Sequence, residues 1–412
     1  METRKLIKKW IGYAILNLAV VALLGVLLRY KISFSFPIIN QQHLLNSHFH
    51  FAFNGWAIQM IMTLLMAVIP DLSREQFKKF LFFLKTNFIL SYGILISFII
   101  QGYGEISIFF IFGTIVNFYV FGIRYWRILN QTQKKDKSNL FFKAAIIFNF
   151  ISSIGIGFLI FLMRDAHALQ KWHLMSVYFF LHFQYNGFFI FCCLGLFFKM
   201  LTKASIIIQH QKTLSWLFIV SLPPTYFLSV LWMKLPVYIN ISVIAFSLIQ
   251  LLAWMWLIGK IWNQRNKIIR SFSPPIILML IGSGIAMTIK FILQAVSTIN
   301  PLRQYAFGFR PVVIGYLHLI FLGIVTLFLL AFSFEYNLIK INFISMKGML
   351  ILGIGIVLNE LMLMIQGLTF MNYIVLPYSN EILFGIVCTI FIGITFIIIS
   401  KKKQKQSKPF SS

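Results

Sequence analysis

The chain holds eight histidines, and three of them recur in one pattern. His50-Phe51-Ala52-Phe53-Asn54-Gly55, His182-Phe183-Gln184-Tyr185-Asn186-Gly187 and His318-Leu319-Ile320-Phe321-Leu322-Gly323 each place a glycine five residues after a histidine inside an apolar run. The intervals are 132 residues (182 − 50) and 136 residues (318 − 182), and the first two copies share His, Phe, Asn and Gly at four matched positions. Recurrence on this scale marks an internal repeat. Imidazole binds metals and haem iron, carries protons, and is costly to bury in lipid, so within a membrane segment it points first to function. One imidazole per repeat can hold a metal or a haem iron from facing helices of a bundle. The plainer role is a hydrogen bond between helices. The glycine leaves a groove that either a flat macrocycle or a neighbouring helix can enter.

The elements that position these residues follow from composition. Of 412 residues 59% are hydrophobic and 11% charged, too few charges to clothe a soluble domain. Apolar segments of about 20 residues recur throughout, each long enough to cross a bilayer core as a helix. Twelve spans are expected, at 10–28, 48–69, 80–100, 106–123, 144–163, 174–198, 214–233, 238–258, 275–296, 312–334, 349–370 and 382–400, forming a single membrane domain. Pro223-Pro224 must break or kink the seventh. The basic start runs into an apolar stretch too long for a signal peptide, which reads as a retained first helix.

Charge fixes the orientation. Twenty-seven lysines and arginines fall in the termini and loops of one side and seven in those of the other, so both termini are expected in the cytoplasm. That alternation also assigns the +27 net charge to the lipid bilayer rather than to nucleic acid. The tail 401–412 is then a basic cytoplasmic anchor. Cys192, Cys193 and Cys388 lie in apolar segments without a CxxC pair and read as small core residues. On this map the three motifs fall in spans two, six and ten, one per four helices, with each histidine in the outer half. The architecture expected is all-α, with three four-helix units (about 1–130, 131–265 and 266–412) around a pseudo-threefold axis.

This arrangement resembles the haem-copper oxidase subunit I superfamily, which includes the nitric oxide reductase large subunit, and a nitric-oxide-response haem-copper membrane family of similar size. The resemblance covers the whole chain in topology and rests on the short His-Gly stretches in sequence. It implies a haem b ligated by His50, or His48, and by His318, with His182 standing where the family has a copper ligand. Two departures are visible: Tyr316 occupies the place of the family's high-spin haem ligand, and span seven has no histidine. The resemblance therefore implies a retained low-spin haem beside a degenerate second metal or gas site of His182, Tyr185 and Tyr316, without full oxygen-reducing activity.

Other polar residues complete the expectations. His48 and His50 point about 200° apart on a helix and cannot serve one iron. Arg303 and Arg310, with Arg164 and Trp172, are placed to meet either haem propionates or lipid headgroups. His43, His167 and His173 lie at the outer surface, and His210 is given no role. Lys85 and Lys290, read as near helix ends, are expected to snorkel. Glu360, mid-span beside Asn359, is either a proton-relay carboxyl or a protonated acid bonded to its neighbour. Three functions follow: an inner-membrane haem b protein in electron transfer or diatomic gas (NO or O2) handling, with a quinol or cytochrome c donor and respiratory subunits as partners; a cofactor-free transporter or channel; or an assembly partner of a respiratory oxidase.

Overall fold

The computed structural model describes residues 2–70, 72–131, 136–162, 169–299 and 310–406. Among them the chain is all-helical: α1 (Glu2–Ser33), α2 (Gln41–Ala67), α3 (Arg74–Gln101), α4 (Glu105–Gln131), α5 (Asn139–Leu162), α6 (Gln170–Lys203), α7 (Gln211–Ser221), α8 (Val237–Asn263), α9 (Pro274–Val296), α10 (Pro311–Glu335), α11 (Phe343–Met371) and α12 (Ser379–Lys401). Eleven are long and apolar enough to cross a membrane, and α7 makes a twelfth when joined to the 3-10 segment Pro224–Val230. This is a multi-pass membrane protein. Pro223 and Pro224 lack the N–H groups that would continue the α7 ladder, and the chain bends there by 42°.

The helices gather into two compact units. One comprises residues 1–132, 329–362 and 376–412, and the other 133–328 and 363–375. In the first, α1 packs along α12, and α11 meets α12 backbone to backbone: a Cβ on Gly393 would come within 2.6 Å of the Leu352 nitrogen, and one on Gly348 within 2.9 Å of the Gly393 oxygen. Glycine is what lets two apolar helices approach this closely where no water drives them together. α2 is held between α1 and α3, and the α3–α4 turn passes through Gly102 at φ +65 with the His43 ring against it. In the second unit α5 packs on α6 through Gly155, whose Cβ would lie 2.7 Å from the Ser176 oxygen, and α8 is tied to α9 by the Trp254 indole donating to Thr288 Oγ1 at 2.9 Å.

Outside the apolar spans one loop is held by charge. Asp136 pairs with Lys199 at 2.6 Å and accepts from the Ser138 hydroxyl and N–H. Burial pushes its carboxyl up, but Lys199 and Ser138 outweigh that and leave it below the usual carboxylate value. A depressed folded value means stability that is complete above the unfolded value of about 3.9 and lost as pH falls through the folded one. Asp136→Asn should therefore lower the detergent-solubilised unfolding midpoint at pH 7 by the equivalent of about 1 kcal/mol or less, and the gap to wild type should close as pH falls below about 4. A gap unchanged over that fall would contradict this assignment.

Candidate functional site

Each His-Gly motif is a π-helical turn. The wide segments are Ala52–Ile58 in α2, Phe183–Phe189 in α6 and Leu319–Thr326 in α10, so each begins one or two residues after the repeat histidine and contains the repeat glycine. The register is visible in the bonds that close two of them, Ile190 N–H to Tyr185 oxygen and Leu327 N–H to Leu322 oxygen. Five residues, the His-to-Gly spacing, is the interval of an i→i+5 bond. Such turns are rare and concentrate at functional sites.

A π turn displaces carbonyls from the α ladder, and neighbouring helices supply the missing donors. In the first unit Asn17 of α1 donates to the Gly55 oxygen at 2.6 Å, Asn87 of α3 to the Asn54 oxygen at 3.0 Å, and the Asn54 side chain to the His50 oxygen at 3.1 Å. In the second unit Ser283 of α9 donates to the Ile324 oxygen at 3.0 Å, while Asn149 and Ser152 of α5 bond the Gln184 side-chain oxygen at 3.1 and 3.0 Å. Asn17, Asn149 and Ser283 sit on the helix preceding each motif helix, at intervals of 132 (149 − 17) and 134 (283 − 149) residues. The repeat thus extends to the groups that pin the turns. The glycine grooves are filled by protein: the Phe51 ring over Gly55, Phe148 and Leu222 against Gly187, and Ala286 against Gly323.

In the first unit the two α2 histidines differ. His48 Nδ1 lies 3.1 Å from the Val21 oxygen of α1, an acceptor, so Nδ1 carries the proton and Nε2 the lone pair. His50 presents Nε2 to the Tyr103 hydroxyl at 2.8 Å and stacks on Phe98 at 4.6 Å. Glu360 accepts from the Asn359 amide at 3.1 Å, the neighbour bond expected of a half-buried acid.

In the second unit His318 Nδ1 faces the Ile314 oxygen at 2.8 Å, which assigns it the same tautomer as His48. His182 has the opposite one: Nε2 donates to the Leu222 oxygen at 3.0 Å, and Asn186 Nδ2 donates to Nδ1 at 3.4 Å. The proline break supplies that acceptor, because Tyr226 N–H bonds Pro223 instead of Leu222. Thr225 Oγ1 donates to the same carbonyl at 2.8 Å and accepts from Gln250 Nε2 of α8 at 3.2 Å, and Asn186 is hydrogen-bonded to Tyr316 of α10. A buried polar chain therefore runs Gln250, Thr225, Leu222, His182, Asn186, Tyr316. Of the expected second site, His182 and Tyr316 come together through Asn186; Tyr185 lies apart in an aromatic contact with Phe189 and Phe321, both at 6.0 Å.

One expectation fails. Lys85 is exposed, but Lys290 does not snorkel: it is 1% exposed, its Nζ is 4.0 Å from the Phe291 ring centroid, and its charge acts on His182. Counting residues to the helix end missed it, because α8 and α10 cover that face of α9. Arg303, Arg164 and His167 lie outside the described residues, as does the side chain of Arg310. Among the described residues no three His, Cys, Asp or Glu side chains form a metal-holding group. No protein-family model matches the chain, and no curated protein is similar to it.

If the side-chain pins hold the wide turns, their losses should be unequal. Asn17→Ala strips the Gly55 carbonyl and the Tyr92 hydroxyl of a partner and should cost about 1–3 kcal/mol, whereas Asn149→Ala leaves Gln184 bonded to Ser152 and should cost about 1 kcal/mol or less. Thermal midpoints of the two purified variants test this, and equal shifts would count against it.

Proposed function

We propose that this chain is a cytoplasmic-membrane haem b protein of the haem-copper oxidase subunit I type, with three four-helix units about a pseudo-threefold axis and both termini in the cytoplasm. Its work is electron transfer or handling of a diatomic gas such as nitric oxide, fed by a quinol or cytochrome c and associated with respiratory subunits. The observation that carries the reading is the pairing of a histidine with a π turn three times over. It is supported by the contacts of His48 and His318, since a haem-ligating imidazole donates its second N–H to a backbone carbonyl. On this reading the axial ligands are His50, or His48, and His318. A haem so held supplies one-electron chemistry. The protein's part is to fix ligand tautomer and exclude water.

The residues around His182 do not fit a copper ion. The site offers one imidazole, both nitrogens of which are hydrogen-bonded, beside a lysine. The proposal carries no copper, and full oxygen reduction is not part of it. The same observation favours the second reading, a cofactor-free transporter or channel in which the histidines are helix-packing groups.

Oxidised and dithionite-reduced optical spectra of the detergent-purified protein separate the two. Sharp reduced bands of six-coordinate haem b are expected, lost in His318→Ala and in one of His50→Ala and His48→Ala. A colourless protein from haem-replete cells overturns the haem reading, and solute-dependent flux in liposomes would then support the transporter.

A further inference from the structure

A buried amine in a helix bundle needs either a counter-charge or solvation. The ion pairs among the described residues are Lys79–Glu75 and Lys199–Asp136, so Lys290 takes part in neither. The same unit of the chain holds unsatisfied acceptors. Asn186 Oδ1, Gln250 Oε1 and Gln294 Oε1 are buried without a hydrogen-bond partner, on side chains that are 6%, 2% and 7% exposed. They belong to one neighbourhood. Asn186 and Gln250 belong to the polar chain through His182, Lys290 acts on that same imidazole, and Gln294 follows Lys290 by one turn of α9. Phe291, next to Lys290, lies 6.0 Å from Trp254, which follows Gln250 by one turn of α8.

Each orphaned amide oxygen costs about 1–3 kcal/mol, and natural cores do not gather three of them without a reason. An amine offers up to three N–H donors, and ordered water joins such donors to acceptors too far apart to meet directly. We infer that Lys290 is the proton-binding group of an internal hydrated site, its amine linked through water to the amide oxygens of Asn186, Gln250 and Gln294. A protonated amine, not a metal ion, then supplies the positive charge beside His182. The titratable groups of the polar chain are His182 of α6, Tyr226 of the 3-10 segment against its ring, and Tyr316 of α10 bonded to Asn186, while Phe218 of α7 and Trp254 of α8 lie against Phe291 beside Lys290. Amine and imidazole repel when both are charged. This assignment stands whether or not a haem is bound.

Reductive dimethylation of the purified full-length protein with formaldehyde and a mild borohydride, read at Lys290 by peptide mass spectrometry, tests it. A water-served amine should be modified, faster as pH rises and its proton leaves, with exposed Lys85 as the internal standard. Gln250→Leu or Gln294→Leu removes an acceptor that holds the amine's proton, so each should speed Lys290 by about fivefold at a pH where the wild-type amine is protonated, the worth of one net hydrogen bond, and leave Lys85 unchanged. In Lys290→Met the unfolding midpoint should differ from wild type by an amount that varies with pH. A Lys290 untouched at every pH where Lys85 is fully modified, a rate indifferent to both glutamine changes, or a midpoint difference constant with pH would each overturn the assignment. Should the methionine variant not fold, the labelling of the wild type decides alone.

Discussion

A carbonyl released from its helix in a membrane must find a donor inside the protein, because lipid offers none. This constraint organises the described structure. Three π turns release carbonyls and a proline pair releases another, and side chains meet several of them: Asn17 and Asn87 at the first turn, Ser283 at the third, His182 and Thr225 at Leu222. The buried asparagines, serines and glutamines are thus the other half of the backbone's hydrogen bonding. Their cost is offset only where the turn persists, so turn and pin stand or fall together.

The same logic assigns the imidazoles. A ring placed next to a backbone carbonyl has its proton located for it, and the other nitrogen acquires the lone pair. His48 and His318 are set this way through Nδ1, His182 through Nε2. Two of the motif imidazoles therefore carry opposite settings, His318 held by a carbonyl of its own helix and His182 by the carbonyl that the proline break releases.

What could be read from the residues alone was periodic or compositional. The long apolar helices, the break at Pro223-Pro224 and the threefold His-Gly recurrence each follow from patterns that need no neighbours. The π turns were less legible, although the five-residue spacing carried their register. Asn17 and Asn149 share the 132-residue interval of His50 and His182, and that coincidence was available as a signal. Lys290 was not legible. Whether a lysine six residues from a helix end reaches water depends on which helices cover that face, which is a property of packing, not of position along the chain.

The glycines bear most directly on how the motif should be understood. A glycine five residues after a histidine suits a macrocycle only if the groove it opens stays open, and here Phe51, Phe148 with Leu222, and Ala286 fill the three grooves. The glycine's role is therefore to admit protein, drawing a neighbouring side chain onto the widest part of the turn. That shifts the weight of the motif from the groove to the turn itself. An added residue in a helix rotates everything beyond it by about 100°, so the segment before the turn and the segment after it face different neighbours. One helix can then present its imidazole to one set of partners and its apolar far half to another, which a regular α-helix of the same sequence could not do.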